Sequence, residues 1–178
     1  VSPFEKRGER EIWSGSVISV AEGTFVSPGG TTFTRDLVHH PGAVAVVPVD
    51  GDEAVLVRQY RAAVDLDVLE IPAGKRDVAG EDPETTARRE LAEEVGLAAG
   101  RLTKLAEFYN SIGFSDELSH VFLATELAEV SQDLQGEEEQ HLRIERIRLD
   151  DVPALIGAGE LVDAKTVIGL LLAREVLG

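Results

Sequence analysis

Three glutamates, Glu90, Glu93 and Glu94, stand three and four residues apart. On a helix that spacing puts all three carboxylates on one stripe of the surface. Like charges so placed repel, and a hard cation relieves the repulsion. Mg²⁺ or Mn²⁺ prefers carboxylate oxygen and typically uses a few carboxylates together with substrate phosphates. A solvated, Glu-rich helix face is the ordinary explanation of such a stripe, so the surroundings must decide between the two. The local sequence does predict a helix over 83–95. Asp82 suits the N-cap and Pro83 the first helical position, Ala87, Leu91 and Val95 recur every four residues along one face, and Gly96 is a stop.

The rest of the chain must position that helix. Residues 10 to 40 alternate apolar and polar in short runs around Ser27-Pro28-Gly29-Gly30, which predicts antiparallel strands and a turn. Ala43–Val47 and Ala54–Val57 flank the turn signal Asp50-Gly51-Asp52, and a hairpin of largely buried strands is expected there. Val68–Ile71 reads as a short strand stopped by Pro72 and Gly74. Strands are expected again over 105–109, 119–124 and 142–149, with helices over 151–156 and 164–177. The sum is a mixed α/β domain. Its one candidate boundary is the Pro41-Gly42 step, which separates an N-terminal β extension (residues 1–40) from a domain over 41–178.

Composition narrows the chemistry. The 33 acidic residues outweigh 17 basic ones, for a net charge of −16. That field repels nucleic acid over about 10 Å at moderate salt, so no nucleic-acid partner is expected. An anionic small molecule meets the same field, and bound cations or local arginines must reverse its sign at the site. Cysteine is absent, which excludes disulfides, thiol nucleophiles and thiolate metal sites. The N-terminus lacks the apolar core of a signal peptide and no stretch has the roughly 20 apolar residues of a membrane span, so no membrane contact and a cytoplasmic location are expected.

The glutamate stripe lies within Gly74-Lys75-Arg76-Asp77-Val78-Ala79-Gly80-Glu81, seven residues, and then Arg89-Glu90-Leu91-Ala92-Glu93-Glu94-Val95-Gly96-Leu97. This resembles the Nudix box, with every defined position matched from Glu81 onward. One departure stands at the front, where six residues rather than five separate Gly74 from Glu81. The resemblance implies a Nudix-type α/β/α sandwich with a mixed sheet and an Mg²⁺-dependent hydrolase, with Mn²⁺ as the alternative ion. It implies Glu90 and Glu94 as principal metal ligands, Glu93 as a further or bridging ligand with a part in catalysis, and the Ala73 carbonyl as a backbone ligand. Gly74, Glu81, Arg89 and Gly96 would be structural, Arg89 and Glu81 by holding the carboxylates.

Outside the box, Glu70-Ile71-Pro72-Ala73-Gly74, Arg58-Gln59-Tyr60-Arg61 and Gly113-Phe114-Ser115-Asp116-Glu117 resemble the ADP-ribose pyrophosphatase branch of the family. That branch implies ADP-ribose as substrate, yielding AMP and ribose 5-phosphate. It implies Arg61 and Glu70 near the substrate's phosphates and terminal ribose, Phe114 as a further contact, and Arg35 reaching in from the N-terminal region across a dimer interface. A homodimer built partly on the N-terminal strands is expected. Ile112 stands where the branch usually carries proline, so another nucleotide sugar, a dinucleotide or a nucleoside triphosphate stays open as substrate. The acidic run Glu137-Glu138-Glu139 is placed like the loop that supplies a catalytic carboxylate in these enzymes, with Glu138 or Glu139 as base or extra ligand. The competing class is a Nudix-like module that senses a nucleotide without cleaving it. Such a module would show an eroded box or an added basic domain, and the sequence has neither.

Overall fold

The computed structural model describes residues 2–134 and 139–178, so Glu138 and the start of its acidic run lie outside the described residues. The chain divides into two compact units, Val1–Gly42 with Tyr109–Leu118, and Ala43–Phe108 with Ser119–Gly178.

The larger unit is built on a mixed sheet. Its strands are β4 (Ala43–Asp50), β5 (Glu53–Arg61), β6 (Leu66–Glu70), β7 (Ala73–Lys75), β8 (Leu97–Tyr109), β9 (Leu118–Glu129) and β10 (Arg143–Arg148). They run in the order β10-β5-β4-β9-β8, with β6 beside β5 and β7 beside β4. β4 and β9 pair in parallel, while β4–β7, β5–β6 and β5–β10 are antiparallel. The central strands read as nearly continuous apolar runs because both faces are covered. Alternate residues then serve two cores. Ala45, Val47, Leu56, Val121 and Leu123 face the side that also holds Leu170 and Ala173 of α3 (Ala164–Leu177) and Val152 of α2 (Val152–Ala158). Val44, Val46, Val55, Val57, Phe122 and Ala124 pack with Ala87, Leu91 and Val95 of α1 (Pro83–Val95) on the other. Burying each valine, leucine or phenylalanine among them contributes about 1.5–3 kcal/mol, so the period-two and period-four patterns together select the α/β/α layering.

The expected hairpin forms only at its tip. Gly51 supplies the positive φ of the turn, yet β4 and β5 pair only through Val49 with Ala54 and Asp50 with Glu53. Beyond that point they part, because β4 takes β7 and β9 as partners while β5 takes β6 and β10. The expected stop after Ile71 is also brief. The Pro72 carbonyl accepts from Val46 N–H at 2.9 Å, and the chain resumes at once as β7 against β4.

In the smaller unit β1 (Glu5–Ser14), β2 (Ser19–Val26) and β3 (Thr32–His39) form an antiparallel sheet in that order. Phe33 stacks on Phe25 and meets Phe4 edge to face, with ring centroids 5.7 and 6.1 Å apart. The segment 109–118, which sequence patterning assigns to no element of this unit, joins it. Val38 N–H donates to the Phe114 carbonyl at 2.7 Å, and the Asp116 carboxylate takes His39 Nδ1 at 2.6 Å and His40 N–H at 2.9 Å. The turn at 111–115 closes without the branch's usual proline, through Phe114 and Ser115 N–H groups donating to the Ser111 carbonyl, and Ile112 projects outward.

Candidate active site

α1 begins and ends as its sequence requires. The Asp82 carboxylate accepts from Glu84 and Thr85 N–H, Pro83 opens the helix, and Gly96 closes it in the left-handed region at φ 65°. Glu81, just outside the helix, accepts from the Thr86 hydroxyl at 2.8 Å, which anchors the incoming loop. Arg89 lies among the carboxylates, with Nη1 2.8 Å from Glu90 and 2.9 Å from Glu93 and Nη2 3.5 Å from Glu81.

The stripe is not the solvated surface that spacing alone suggests. Glu94 is only 3% exposed, and Glu90 and Glu93 are partly buried. The reason is β7: Ala73 N–H donates to Glu94 Oε2 at 2.9 Å, and the Glu90 carboxylate lies against Gly74. A Cβ built on Gly74 would stand 1.9 Å from the Glu90 carboxyl carbon, so no larger residue fits without displacing that carboxylate. Gly74 therefore meets α1 at this contact even with the extra residue in the following loop.

Burial sets the charge state. Desolvation pushes the Glu94 carboxyl up to about 8, reinforced by Glu90 and Glu139 and opposed by Ala73 N–H and Arg61. Desolvation likewise pushes Glu90 up to about 7, with Glu93 and Glu139 adding to the rise and Arg89 opposing it. Glu139, half-buried at the start of a 3-10 turn (Glu139–His141), is thus brought within electrostatic reach of both acids.

The donors fit a hard dication, being carboxylate and carbonyl oxygens around a strand with no Cβ at Gly74. Among the described residues no group of three or more His, Cys, Asp or Glu side chains could by itself enclose an ion.

A pH-dependent stability follows. Both acids bind their proton more tightly folded than unfolded, so their contribution is intact below the ordinary carboxyl range and is lost as pH rises through about 7 and then about 8. In chelator, the melting temperature should fall between about pH 5 and 8.5, and less so for Glu94→Gln, which cannot ionise. Mg²⁺ at about 100-fold over its Kd should add about 2.7 kcal/mol, or about 5–10 °C in a domain of this size, and most at high pH, where no proton competes. Calorimetric scans showing equal slopes for the two proteins, with no Mg²⁺ shift, would remove this account.

Arg61 and Glu70 form a two-pronged ion pair beside this centre. Nε and Nη2 of Arg61 donate to the Glu70 carboxylate at 2.6 and 2.8 Å, and Glu70 is 2% exposed. Lys165 Nζ, from the start of α3, donates to the same carboxylate at 2.5 Å and lies 3.0 Å from Asp163. Lys165 is not among the residues that the sequence marks for the site. The Asp163 N-cap marks the start of its helix, but no local signal ties that turn to Glu70.

Arg35 and Phe114 belong to the smaller unit. The Arg35 guanidinium stands 4.7 Å from the centre of the Phe33 ring and donates to the Thr34 carbonyl at 2.7 Å. Phe114 is exposed.

A mixed sheet between helices, with a glutamate-bearing helix docked on a glycine strand, defines the architecture of a Nudix pyrophosphatase. Residues 39–167 match the NUDIX domain, and the chain belongs to the Nudix family, as one of its pyrophosphatases. It is similar to the ADP-ribose pyrophosphatase of Bacillus subtilis (strain 168), at 42% identity over 89% of this chain and 85% of that protein. It is also similar to the methanol dehydrogenase activator of Bacillus methanolicus, at 36% identity over 90% of this chain and 86% of that one. The solved structure of an ADP compounds hydrolase shares the fold, with a TM-score of 0.86, 24% identity, and coverage of 99% of this chain and 95% of that one. Among the described residues no helix is long and apolar enough to cross a membrane.

Proposed function

We propose that this Nudix pyrophosphatase cleaves the diphosphate of ADP-ribose to AMP and ribose 5-phosphate with Mg²⁺ as cofactor. The observation that carries the reading is the pair of buried Glu94 and partly buried Glu90 against Ala73 and Gly74, with the Arg61 guanidinium within electrostatic reach of Glu94. Glu90, Glu94 and the Ala73 carbonyl would hold the ion, with Glu93 joining them. Bound there, it supplies Lewis-acid polarisation of the diphosphate and a lowered pKa for water. Arg61 uses two of its five N–H groups on Glu70, and the other end of its planar fork suits a phosphate. Glu139 is the base of choice: it takes a proton as water oxygen bonds to phosphorus, and the bond from that phosphorus to the bridging oxygen breaks. Arg89 balances charge among Glu81, Glu90 and Glu93.

The ADP-ribose assignment draws on the resemblance of segments 58–61, 70–74 and 113–117 to that branch and on the similarity to the Bacillus subtilis enzyme. Ile112 in place of proline weighs toward another nucleotide sugar or a dinucleotide. A panel of ADP-ribose, other nucleotide sugars, dinucleotides and nucleoside triphosphates with Mg²⁺ decides, read by product. Two phosphomonoesters from ADP-ribose are expected. A tenfold or greater preference for another compound in kcat/KM, about 1.4 kcal/mol at the transition state, would overturn the substrate while leaving the family in place.

The working form would be a homodimer built partly on the N-terminal sheet. Every residue of β1 is exposed, including Ile12 and Trp13, which makes it an open strand edge suited to a second copy. Arg35 would then reach the partner's substrate. Sedimentation should give about twice the monomer mass at micromolar concentration, and a strict monomer would refute the arrangement.

A further inference from the structure

The first turn of α3 is joined to the strand segment that builds the active site, although the paired residues stand 95 positions apart in the chain. Two contacts make the joint, from Thr166 to Ile71 and from Lys165 to Glu70, and an N-cap holds the helix end that carries them. Asp163 caps α3, accepting from Thr166 N–H at 2.9 Å and from the Thr166 hydroxyl at 2.6 Å. The same hydroxyl oxygen accepts from Ile71 N–H at 3.0 Å. Lys165, 13% exposed, spans Asp163 and Glu70.

Glu70 is the point where this joint meets the site. Its carboxylate is fully buried and takes Arg61 from one side and Lys165 from the other, which holds it below the usual carboxyl range against the cost of its burial. Arg61 differs in exposure, with 41% of its side chain open to solvent, so its unused end can meet a ligand. A long flexible cation aims well only if its partner is fixed. Glu70 is fixed by Lys165.

We infer that Lys165 is a positioning residue for phosphate binding: by pinning the buried Glu70 carboxylate from α3, it orients the Arg61 guanidinium toward the substrate diphosphate. This rests on the diphosphate reading above for its substrate, but its geometric core does not. In Lys165→Met the four-charge group of Arg61, Lys165, Glu70 and Asp163 loses its neutrality, and the Glu70 carboxylate, held from one side only, can shift so that its bond to the Arg61 guanidinium loosens. A lost binding orientation raises KM more than it lowers kcat.

Two measurements test it on the full chain. Substrate-free, ¹⁵N-labelled enzyme should show a slowly exchanging Nε–H signal for Arg61, assigned by its loss in Arg61→Lys. Lys165→Met should speed that exchange at least about tenfold, and Lys165→Arg should restore most of the protection, because it returns a cation to Glu70. With the diphosphate substrate and Mg²⁺, Lys165→Met should raise KM about tenfold with kcat nearly unchanged. That rise should vanish when Arg61 is already alanine, since the two residues then act as one unit. Unchanged Arg61 exchange in a folded Lys165→Met protein, or KM effects that multiply in the double variant, would overturn the proposal. The exchange readout uses no substrate. If wild-type enzyme released no phosphomonoesters from any diphosphate, the functional reading would fall separately and the exchange result would still decide the role of Lys165.

Discussion

Glu94→Gln should lower turnover by more than about 100-fold and leave the protein folded. The folding half of this expectation comes from burial. Glu94 is 3% exposed and its carboxyl is pushed up to about 8, so at neutral pH without metal it is mostly the uncharged acid. The glutamine amide has the same shape and the same charge as that acid, and its oxygen can still accept from Ala73 N–H. The activity half comes from the ion. Glutamine offers one neutral oxygen where the carboxylate offers a full charge, and a hard dication is held chiefly by charge. Loss of partners one layer outside a metal site already costs about 10- to 100-fold, so loss of a direct ligand should cost more. The check is a kcat measurement across an Mg²⁺ titration, with circular dichroism to confirm the fold. Full turnover in a folded Glu94→Gln enzyme, or undiminished wild-type activity in excess chelator, would contradict the metal assignment.

Glu139→Gln should produce the second large loss, about 10²- to 10⁴-fold in kcat, the usual contribution of a positioned general base. Residue order makes Glu138 and Glu139 equal candidates, because register within a run of like residues carries no local signal. The charge of Glu139 raises both Glu90 and Glu94, so Glu139 is within electrostatic reach of the carboxylates that would hold the ion. Glu138 lies outside the described residues, and the paired experiment treats it as the comparison. A much smaller loss in Glu138→Gln is expected. Equal and negligible losses in both variants would return the acidic run to a solvated loop with no part in the chemistry.

The elements whose formation depends on near neighbours were legible in the residues. α1 occupies Pro83–Val95 with the cap and stop that Asp82, Pro83 and Gly96 announce, and α3 covers the expected 164–177. Caps and apolar periods act over three or four residues, which is why they can be read along the chain. Most strands were readable for the same reason, though not β7 (Ala73–Lys75) or the first part of β8, which starts at Leu97. Strand partnership was not, and β4 shares only two residue pairs with the neighbour its turn predicts. The rest of the pairing of β4 depends on β7 and β9, which arrive from elsewhere in the sequence.

The spacing of Glu90, Glu93 and Glu94, their setting in a Nudix box and the helix that carries them were determined by the sequence alone, since all rest on residue order and short-range geometry. Tertiary structure decided their environment. Whether a glutamate is a solvated anion or a buried acid depends on what packs against it. Here that is Ala73 and Gly74 of a strand some twenty residues earlier in the chain, close enough that Gly74 has no room for a side chain. The partnership of Lys165 with Glu70 was decided in the same way. Desolvation and charge pairing act through space between distant segments, and residue order carries no direct mark of them.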